Sequence, residues 1–356
     1  MLEQRDDVAV IVPNYNKKKT IKACLDSVYA QTYRPAEVIV VDDASTDGSR
    51  EIVERYPCRI LRLAGNTGAA GARNAGVADS SAPLVFFLDS DTALAPDAIE
   101  NAVRAYRETP DCAMVQGIYA PDPLYDDGLV EAYRVAYEHF DRRQCTATFL
   151  SNTLISRSAF DEAGGLDERL RDGEDFEFGS RVPSRYRLVV TDRVVTSADD
   201  EDTFWGCLWE RFWRASTIPV ILTRTRRLPR DREVGFRIDM IGPESRSRRR
   251  PPLLAAVLAA LVLLSLPVAA VAPWSLPLTA VFAAAFVAVN APFLRFARRH
   301  RGAGFMLFVL WMQFCYLLAF FFGAGFGLLR VAYEGSRGQL DPVPIGPATA
   351  AAGVPR

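Results

Sequence analysis

Residues 8–42 read VAVIVPNYNKKKTIKACLDSVYAQTYRPAEVIVVD, and this stretch decides the fold class. Residues 8–12 and 38–41 are continuous apolar runs rich in β-branched side chains, which predicts two buried strands. Between them, residues 18–31 place apolar side chains at helical spacing, namely Ile21, Cys24, Leu25 and Val28. Two buried strands joined by a helix form a parallel unit, so the sequence predicts a β-α-β start to the chain.

The same alternation continues beyond this unit. Further strands are predicted at residues 59–63, 84–88 and 113–118, and the segments 68–78 and 97–108 between them have helical patterns. This order is typical of an α/β domain whose mostly parallel central sheet is covered by helices on both faces. Ligands of such sheets bind beyond the carboxyl ends of the strands.

The C-terminal part of the sequence has a different composition. The chain of 356 residues is 49% hydrophobic, but its longest apolar runs are concentrated at residues 253–271, 276–296 and 305–329. Each run has the length of about 20 residues that a helix needs to cross a bilayer. We therefore expect a C-terminal α-helical membrane segment with about three transmembrane helices.

Arginine clusters predict the orientation of these helices. Residues 246–250 precede the first run and residues 295–301 follow the second, and basic clusters of this kind tend to stay in the cytosol. We expect the first cluster to contact anionic membrane lipids rather than nucleic acid. The N-terminus has no signal-peptide pattern, and the six cysteines have no metal-binding or disulfide spacing, which favours a reducing compartment.

These features divide the chain into four predicted parts. They are a cytosolic α/β domain (residues 1–222), an arginine-rich linker (223–250), a membrane segment (251–332) and a disordered tail (333–356). An amphipathic helix predicted at residues 201–216 has tryptophans between charges, and it would pack on the domain or lie at a membrane surface. We expect a multi-pass protein of a bacterial inner or plasma membrane.

Acidic residues follow two of the predicted strands. Asp89 and Asp91 come directly after residues 84–88, and two carboxylates at this spacing suit a hard divalent cation such as Mg²⁺ or Mn²⁺. Asp42 and Asp43 follow the strand at residues 38–41. Alone, each of these patterns is more often a polar turn or a helix cap than a binding site.

Five motifs in a fixed order are more specific than any one of them. They read VAVIVPNYN, EVIVVDDASTDGS, NTGAAGARNAG, FFLDSD and GGLDERLRDGEDFEF. With this series the chain resembles the family 2 glycosyltransferases over roughly residues 8–216. The resemblance implies a GT-A fold that binds a nucleotide-sugar donor and a divalent cation, and that transfers the sugar with inversion to a lipid-linked or glycan acceptor.

The resemblance also implies where the donor binds. The nucleotide-sugar-binding set would comprise Pro13, Tyr15, Asp42, Asp43, Arg73 and Asp89. Pro13 and Tyr15 would line the nucleobase pocket, and Arg73 would lie near the diphosphate. Asp43, with Asp42 beside it, would contact the base or the ribose. Asp91 would be the principal protein ligand of the metal, with Asp89 beside it.

The remaining implied role is catalytic. Asp175, paired with Glu174, would be the general base that accepts the proton of an acceptor hydroxyl. A positioned base is expected independently of the resemblance, because a hydroxyl group is a poor nucleophile. A histidine that many family members carry after this motif is absent, and the segment WERFWRAS (209–216) lacks the Q-x-x-R-W pattern of processive members.

Three other functions remain open. A polyprenyl-phosphate sugar synthase also combines such a domain with membrane helices, but its anionic acceptor needs no base. A dinucleotide oxidoreductase is disfavoured, because Gly68, Gly71 and Gly76 follow the third strand and do not form G-x-G-x-x-G. A non-catalytic membrane scaffold that retains a nucleotide pocket is the most remote alternative.

Overall fold

The computed structural model describes residues 7–143, 149–170, 172–225, 237–241 and 252–336. Strands and helices alternate at the start: β1 (Val8–Asn14), α1 (Ile21–Tyr29), β2 (Glu37–Asp42), α2 (Ser49–Val53), β3 (Arg59–Arg62), α3 (Gly68–Asp79) and β4 (Leu84–Phe87). β1 pairs in parallel with β2 on one side and with β4 on the other, and β2 pairs in parallel with β3. The predicted β-α-β start is confirmed.

A second group of elements extends the sheet: β5 (Thr92–Leu94), α4 (Ala98–Glu108), β6 (Cys112–Tyr119), α5 (Leu129–Arg142), β7 (Thr153–Ser156), α6 (Arg157–Glu162), α7 (Glu174–Arg181) and β8 (Arg187–Ala198). β7 runs antiparallel to both β4 and β6, whereas β6 and β8 are parallel. The strand order is β3-β2-β1-β4-β7-β6-β8-β5, and β5 is antiparallel to β8 at the edge. The sheet is mostly parallel, as the sequence predicts.

Both faces of the sheet are buried. Successive side chains of a strand point to opposite faces, so each buried strand contributes to two core clusters. Val10 and Val12 of β1 belong to one core cluster, together with Leu25 of α1. Ile11, between them, belongs to the other cluster, together with Val77 of α3. The continuous apolar runs of the sequence therefore correspond to strands covered on two sides.

The C-terminal elements are α8 (Phe204–Thr225), β9 (Arg237–Ile241), α9 (Pro252–Val271), a 3₁₀ turn (Pro273–Ser275) and α10 (Leu276–Ser336). β9 pairs in parallel with β8 and lies within the segment for which the sequence predicts a linker. Its five residues, RIDMI, are too few to stand out among the surrounding arginines. The sequence pattern therefore did not predict this strand.

Within the described ranges, two helices are long and apolar enough to cross a membrane by length and composition, Leu253–Val271 and Pro273–Tyr333. The second and third predicted spans thus lie on one helix, α10, which is interrupted at Gly302 with a φ of 89°. Only glycine adopts this left-handed conformation without a Cβ penalty. α10 continues through Ser336, and residues 337–356 of the predicted tail lie outside the described residues.

Helix α5 connects the sheet to α10 through aromatic side chains. Tyr133 and Tyr137 pack against Phe293 and Tyr316 of α10, with ring centroids 5.1–6.2 Å apart. The Tyr133 hydroxyl also donates a hydrogen bond to Gln313 Oε1 at 2.7 Å. The α/β domain and the apolar helices therefore share a packed interface.

Two glycines allow α8 to pack against the second half of α10. A methyl group added at Gly323 would overlap the backbone carbonyl oxygen of Phe212, and one added at Gly327 would overlap that of Ser216. Around Gly325, by contrast, there is open space. Small residues four positions apart on one face let two helix backbones approach closely. One side of the predicted amphipathic helix is therefore covered by α10.

This packing predicts different outcomes for neighbouring glycines. Gly323→Val should lower the free energy of unfolding by about 1–3 kcal/mol, because the new side chain forces α8 away from α10. Gly325→Val is the matched control and should have a much smaller effect, because its side chain would enter open space. Thermal unfolding of the detergent-purified protein measures both. Equal Tm values for the two variants would contradict the close approach of these helices.

Candidate active site

The carboxyl ends of β1 and β2 lie side by side and carry several predicted site residues. Asn14, at the end of β1, is fully buried, and its side-chain amide donates to Asp42 Oδ1 (3.4 Å) and Ser49 Oγ (3.0 Å). These bonds hold the loop after β2 against β1. Pro13 is partly buried beside them, while Tyr15 is 47% exposed at the same edge.

Asp43 is fully engaged by the start of α3. Its Oδ1 accepts hydrogen bonds from the Thr67 amide (2.7 Å) and the Thr67 hydroxyl (3.0 Å), and its Oδ2 accepts from the Gly68 amide (2.9 Å). The first amides of a helix have no partner within the helix, so this buried carboxylate satisfies them. The contact predicted between Asp43 and the nucleobase or ribose remains a prediction.

Helix α3 lies close to the sheet because its buried face consists of small residues. Ala70 and Ala72 are buried, and a methyl group added at Gly76 would overlap the side chain of Ile11 in β1. The same face carries one long side chain, Arg73, which is only 5% exposed. The sequence NTGAAGARNAG thereby places the buried guanidinium group of Arg73 next to the carboxyl end of β4, where it reaches Asp89.

Arg73 connects two motifs that are far apart in the sequence. Its Nη2 donates to Asp89 Oδ1 at 2.7 Å, and its Nη1 donates to Glu174 Oε1 at 2.7 Å. Burial lowers the pKa of Arg73, but the two carboxylates outweigh this effect and raise it, so the group stays charged. Arg73, predicted to lie near a diphosphate, holds Asp89 and Glu174 at one site.

Asp91 has a cationic partner that the sequence analysis did not name. Lys17 Nζ lies 2.7 Å from Asp91 Oδ2. Burial raises the pKa of Asp91, and Lys17 opposes this shift while Asp89 adds to it. Three consecutive lysines follow PNYN directly, at the carboxyl end of β1. Their position could have indicated a cation near the acidic residues at the strand ends.

A second group of carboxylates lies next to this one. Asp127, Glu131 and Asp199 each have a carboxylate oxygen within 4.8 Å of the others, and Lys19 forms ion pairs with Asp127 and Asp199. The backbone amide of Asp199 donates to the carbonyl oxygen of Asp91 at 2.9 Å. This second group therefore borders the predicted metal site. Two of its three carboxylates, those of Asp127 and Asp199, are paired with Lys19.

Glu174 and Asp175 begin helix α7, preceded by Gly173 with a φ of 77°. Glu174 is buried and bonded to Arg73, whereas Asp175 is half-buried and accepts only the Phe176 amide, at 2.8 Å, within the described ranges. Burial and the adjacent Glu174 raise the pKa of Asp175 to about 7, against the opposing charge of Arg73. The predicted pair thus contains one anchored carboxylate and one that is available.

Comparison with known proteins bears on the family and the fold of the α/β domain. Residues 9–164 match the family model described as Glycosyl transferase family 2. An uncharacterised glycosyltransferase of Haemophilus influenzae is 30% identical over 183 residues, which are 48% of this chain and 60% of that protein. The Escherichia coli UDP-Glc:alpha-D-GlcNAc-diphosphoundecaprenol beta-1,3-glucosyltransferase WfaP is 37% identical over 99 residues, which are 27% of this chain and 39% of that protein. The chain spans three fifths or less of these two relatives.

A solved structure extends the similarity in fold. The mannosyltransferase PcManGT from Pyrobaculum calidifontis, determined in complex with GDP-Man and Mn²⁺, has a TM-score of 0.55 at 24% identity, covering 92% of this chain and 88% of that one. This likeness shows a GT-A-like α/β domain. The family match over residues 9–164, which contain Arg73, Asp89 and Asp91, leads to one conclusion: this part of the α/β domain belongs to glycosyltransferase family 2.

Proposed function

We propose that this chain is an inverting glycosyltransferase that moves a sugar from a nucleotide-sugar donor to a hydroxyl group of a lipid-linked or glycan acceptor of the cell envelope. The observation that carries the proposal is the contact of Arg73 with both Asp89 and Glu174. This contact unites the predicted donor-binding motif and the predicted base motif at the edge where parallel sheets bind ligands.

Asp175 would supply the general base. A base whose pKa lies near the working pH is both sufficiently basic and substantially deprotonated, and the value of about 7 meets this requirement. The acceptor hydroxyl would give its proton to Asp175 while its oxygen forms a bond to the anomeric carbon. The bond from that carbon to the nucleoside diphosphate would break on the opposite face, which inverts the configuration.

Asp89 and Asp91 would hold a divalent cation. Arg73 engages one oxygen of Asp89 and Lys17 engages one oxygen of Asp91, and no described residue donates a hydrogen bond to the other oxygen of either carboxylate. Free carboxylate oxygens are the ligands that Mg²⁺ and Mn²⁺ prefer, so the donor set fits. When bound, the cation would offset the charge of the departing diphosphate.

The acceptor is the point on which two enzymatic proposals differ. WfaP is named for transfer from UDP-Glc to a diphosphoundecaprenol-linked sugar, which supports a hydroxyl on a lipid-linked acceptor here. A polyprenyl-phosphate sugar synthase is the second candidate, because it too would combine this domain with apolar helices. An anionic acceptor needs no base, whereas the available carboxylate of Asp175 favours the hydroxyl.

We place α9 and α10 in a membrane as multi-pass spans, with the α/β domain at the cytosolic face of a bacterial inner membrane. Large apolar side chains such as Val271 and Leu329 are exposed on these helices, which is unfavourable in water and favourable in lipid. Arg301 donates to Asp122 of the α/β domain at 2.8 Å. This contact supports placing the cluster at residues 295–301 on the catalytic side.

Removal of the divalent cation should abolish sugar transfer, because the diphosphate would then leave without charge compensation. Asp91→Asn should have the same effect. Turnover of the detergent-purified chain, measured after EDTA treatment and again after addition of Mn²⁺ or Mg²⁺, tests this. Asp161→Asn changes an exposed carboxylate on α6 and should leave turnover unchanged. Full activity after exhaustive chelation would refute the metal-dependent mechanism.

Asp175→Asn should lower kcat by about 100-fold or more and leave donor affinity nearly unchanged, because the variant loses the base but keeps the shape of the loop. Turnover and nucleotide binding on the same purified variant measure the two effects separately. Near-normal turnover would reject Asp175 as the base and favour the polyprenyl-phosphate acceptor.

The pH dependence provides an internal control for the same residue. The carboxyl group of Asp175 is protonated below its pKa of about 7, so kcat of the unmodified chain should rise as the pH passes through this value. Among the charged groups near Asp175, Glu174 and Asp172 raise its pKa and Arg73 lowers it. Together with burial, their combined effect on the pKa is upward. In Asp175→Asn the rise should disappear from the residual activity.

The membrane placement predicts the accessibility of two positions. Trp274 is 83% exposed in the turn between α9 and α10, so Trp274→Cys should react with a membrane-impermeant maleimide added to intact cells. Arg298→Cys should react only after the cells are opened. Both variants are made in a chain whose six cysteines are replaced by serine. External labelling at position 298 with protection at 274 would reverse the orientation.

A further inference from the structure

Arg142, the last residue of α5, is a buried cation whose hydrogen-bonding capacity is largely unused. It is 5% exposed, and its Nη1 atom has no hydrogen-bond partner in the part of the chain that the structure describes. Its Nε atom likewise has no hydrogen bond and only an ion-pair contact with Glu138 at 3.5 Å. Leaving a buried N–H group without a partner costs free energy, so such a group calls for an explanation.

The surroundings of Arg142 hold its guanidinium group in a defined position. The ring centroids of Tyr119 and Phe149 lie 4.1 Å and 4.3 Å from its central carbon. Its Nη2 donates to Ser151 Oγ at 3.1 Å, and the Tyr119 hydroxyl shares a 2.9 Å hydrogen bond with the same oxygen. Two rings and one hydroxyl thus orient the cation, and they leave Nη1 without a hydrogen bond and Nε with only its 3.5 Å contact to Glu138.

Aromatic contacts place this group beside the predicted base. The ring of Phe149, in contact with Arg142, also meets the ring of Phe176 edge-on, with centroids 5.4 Å apart. Phe176 directly follows Asp175 in α7. Arg142 is therefore connected to the base through two aromatic side chains.

Electrostatic interactions point to the same location. Burial lowers the pKa of Arg142, but Tyr119, Glu138, Asp89 and Asp175 together outweigh burial and raise it. Both the predicted metal ligand and the predicted base therefore act on this guanidinium group. Arg142 stays charged at the border of the site.

The two buried arginines at the site differ in their capacity for a new ligand. Arg73 already donates to Asp89 and Glu174 through both of its terminal nitrogens. Arg142 makes no hydrogen bond to a carboxylate among the described residues, and its side chain donates there only to the neutral Ser151. An incoming anion would therefore complete the hydrogen bonding of Arg142, whereas at Arg73 it would compete with two ion pairs.

We propose that Arg142 and Ser151 form a phosphate-binding subsite of the active site. An arginine guanidinium group that contacts two aromatic rings and has N–H groups without hydrogen bonds is well suited to phosphate oxygens. The subsite rests on the proposed function, in which two substrates carry phosphate: the diphosphate of the nucleotide-sugar donor and the diphosphate of a lipid-linked acceptor. Either group would pair the unused donors of Arg142.

Binding of inorganic pyrophosphate to the full-length detergent-purified chain tests the subsite without requiring turnover. Arg142→Gln should weaken this binding by roughly 10-fold to 100-fold, as expected for the loss of a charged hydrogen-bond partner. Arg142→Lys should bind with intermediate affinity, because it keeps the charge and loses the planar donors. Arg143→Gln is the matched control: it removes the same charge from the next residue, which pairs with Asp192 instead.

Thermal unfolding separates a binding role from a purely structural one. If Arg142 serves a ligand, Arg142→Gln should keep or raise the Tm of the ligand-free chain, because an under-satisfied buried cation is removed. Unchanged pyrophosphate affinity in both Arg142 variants would overturn the proposal. An equal loss of affinity in Arg143→Gln would also overturn it, because the effect would then be a general one of charge.

Two further probes identify the source of the phosphate. If the donor supplies it, Arg142→Gln should weaken binding of UDP or GDP with Mn²⁺ and leave binding of farnesyl diphosphate unchanged. If the acceptor supplies it, only farnesyl diphosphate should bind more weakly. Should no nucleotide sugar be consumed by the unmodified chain, the proposed function fails, whereas the pyrophosphate measurement still decides whether Arg142 binds phosphate.

Discussion

The double ion pair of Arg73 is the interaction on which the arrangement of the site depends. This buried guanidinium group bonds Asp89 after β4 and Glu174 at the start of α7. Removing one partner of a buried ion pair typically costs about 3–5 kcal/mol, since the remaining charge is left uncompensated. The two acidic motifs are thus held in place by the same cation. The small residues of α3 are a precondition, because a bulkier helix would hold Arg73 farther from the sheet.

The elements that set the fold were predictable because their patterns are local. In the continuous apolar runs at residues 8–12 and 38–41, the side chains on both faces of each strand must be covered. This pattern is typical of a parallel sheet with helices on both faces. The positions of Asp89 and Asp91 after a strand were predictable for the same reason. The contact of Asp89 and Glu174 through Arg73 could be anticipated only from the order of motifs, since no local pattern relates residues so far apart.

The features that the sequence did not reveal depend on tertiary contacts. A lysine next to PNYN has no local property that selects Asp91 as its partner, and the two meet only because β1 and β4 are neighbours. No local pattern marks Arg142, at the end of α5, as a buried cation in contact with two aromatic rings. β9 becomes a strand because the edge of β8 is available for pairing, which overrides the weak preference of its five residues.

The interface between α5 and α10 limits how the chain can be divided. Tyr133 and Tyr137 are covered by aromatic residues of α10 rather than by the sheet. A fragment cut before α9 would turn this interface into an exposed apolar patch, and such patches promote self-association. The catalytic half is therefore not a soluble enzyme with an anchor attached to it. Helix α10, which would lie in the lipid, covers part of the interior of this domain. A detergent that extracts the helix must therefore also preserve the fold of the α/β domain.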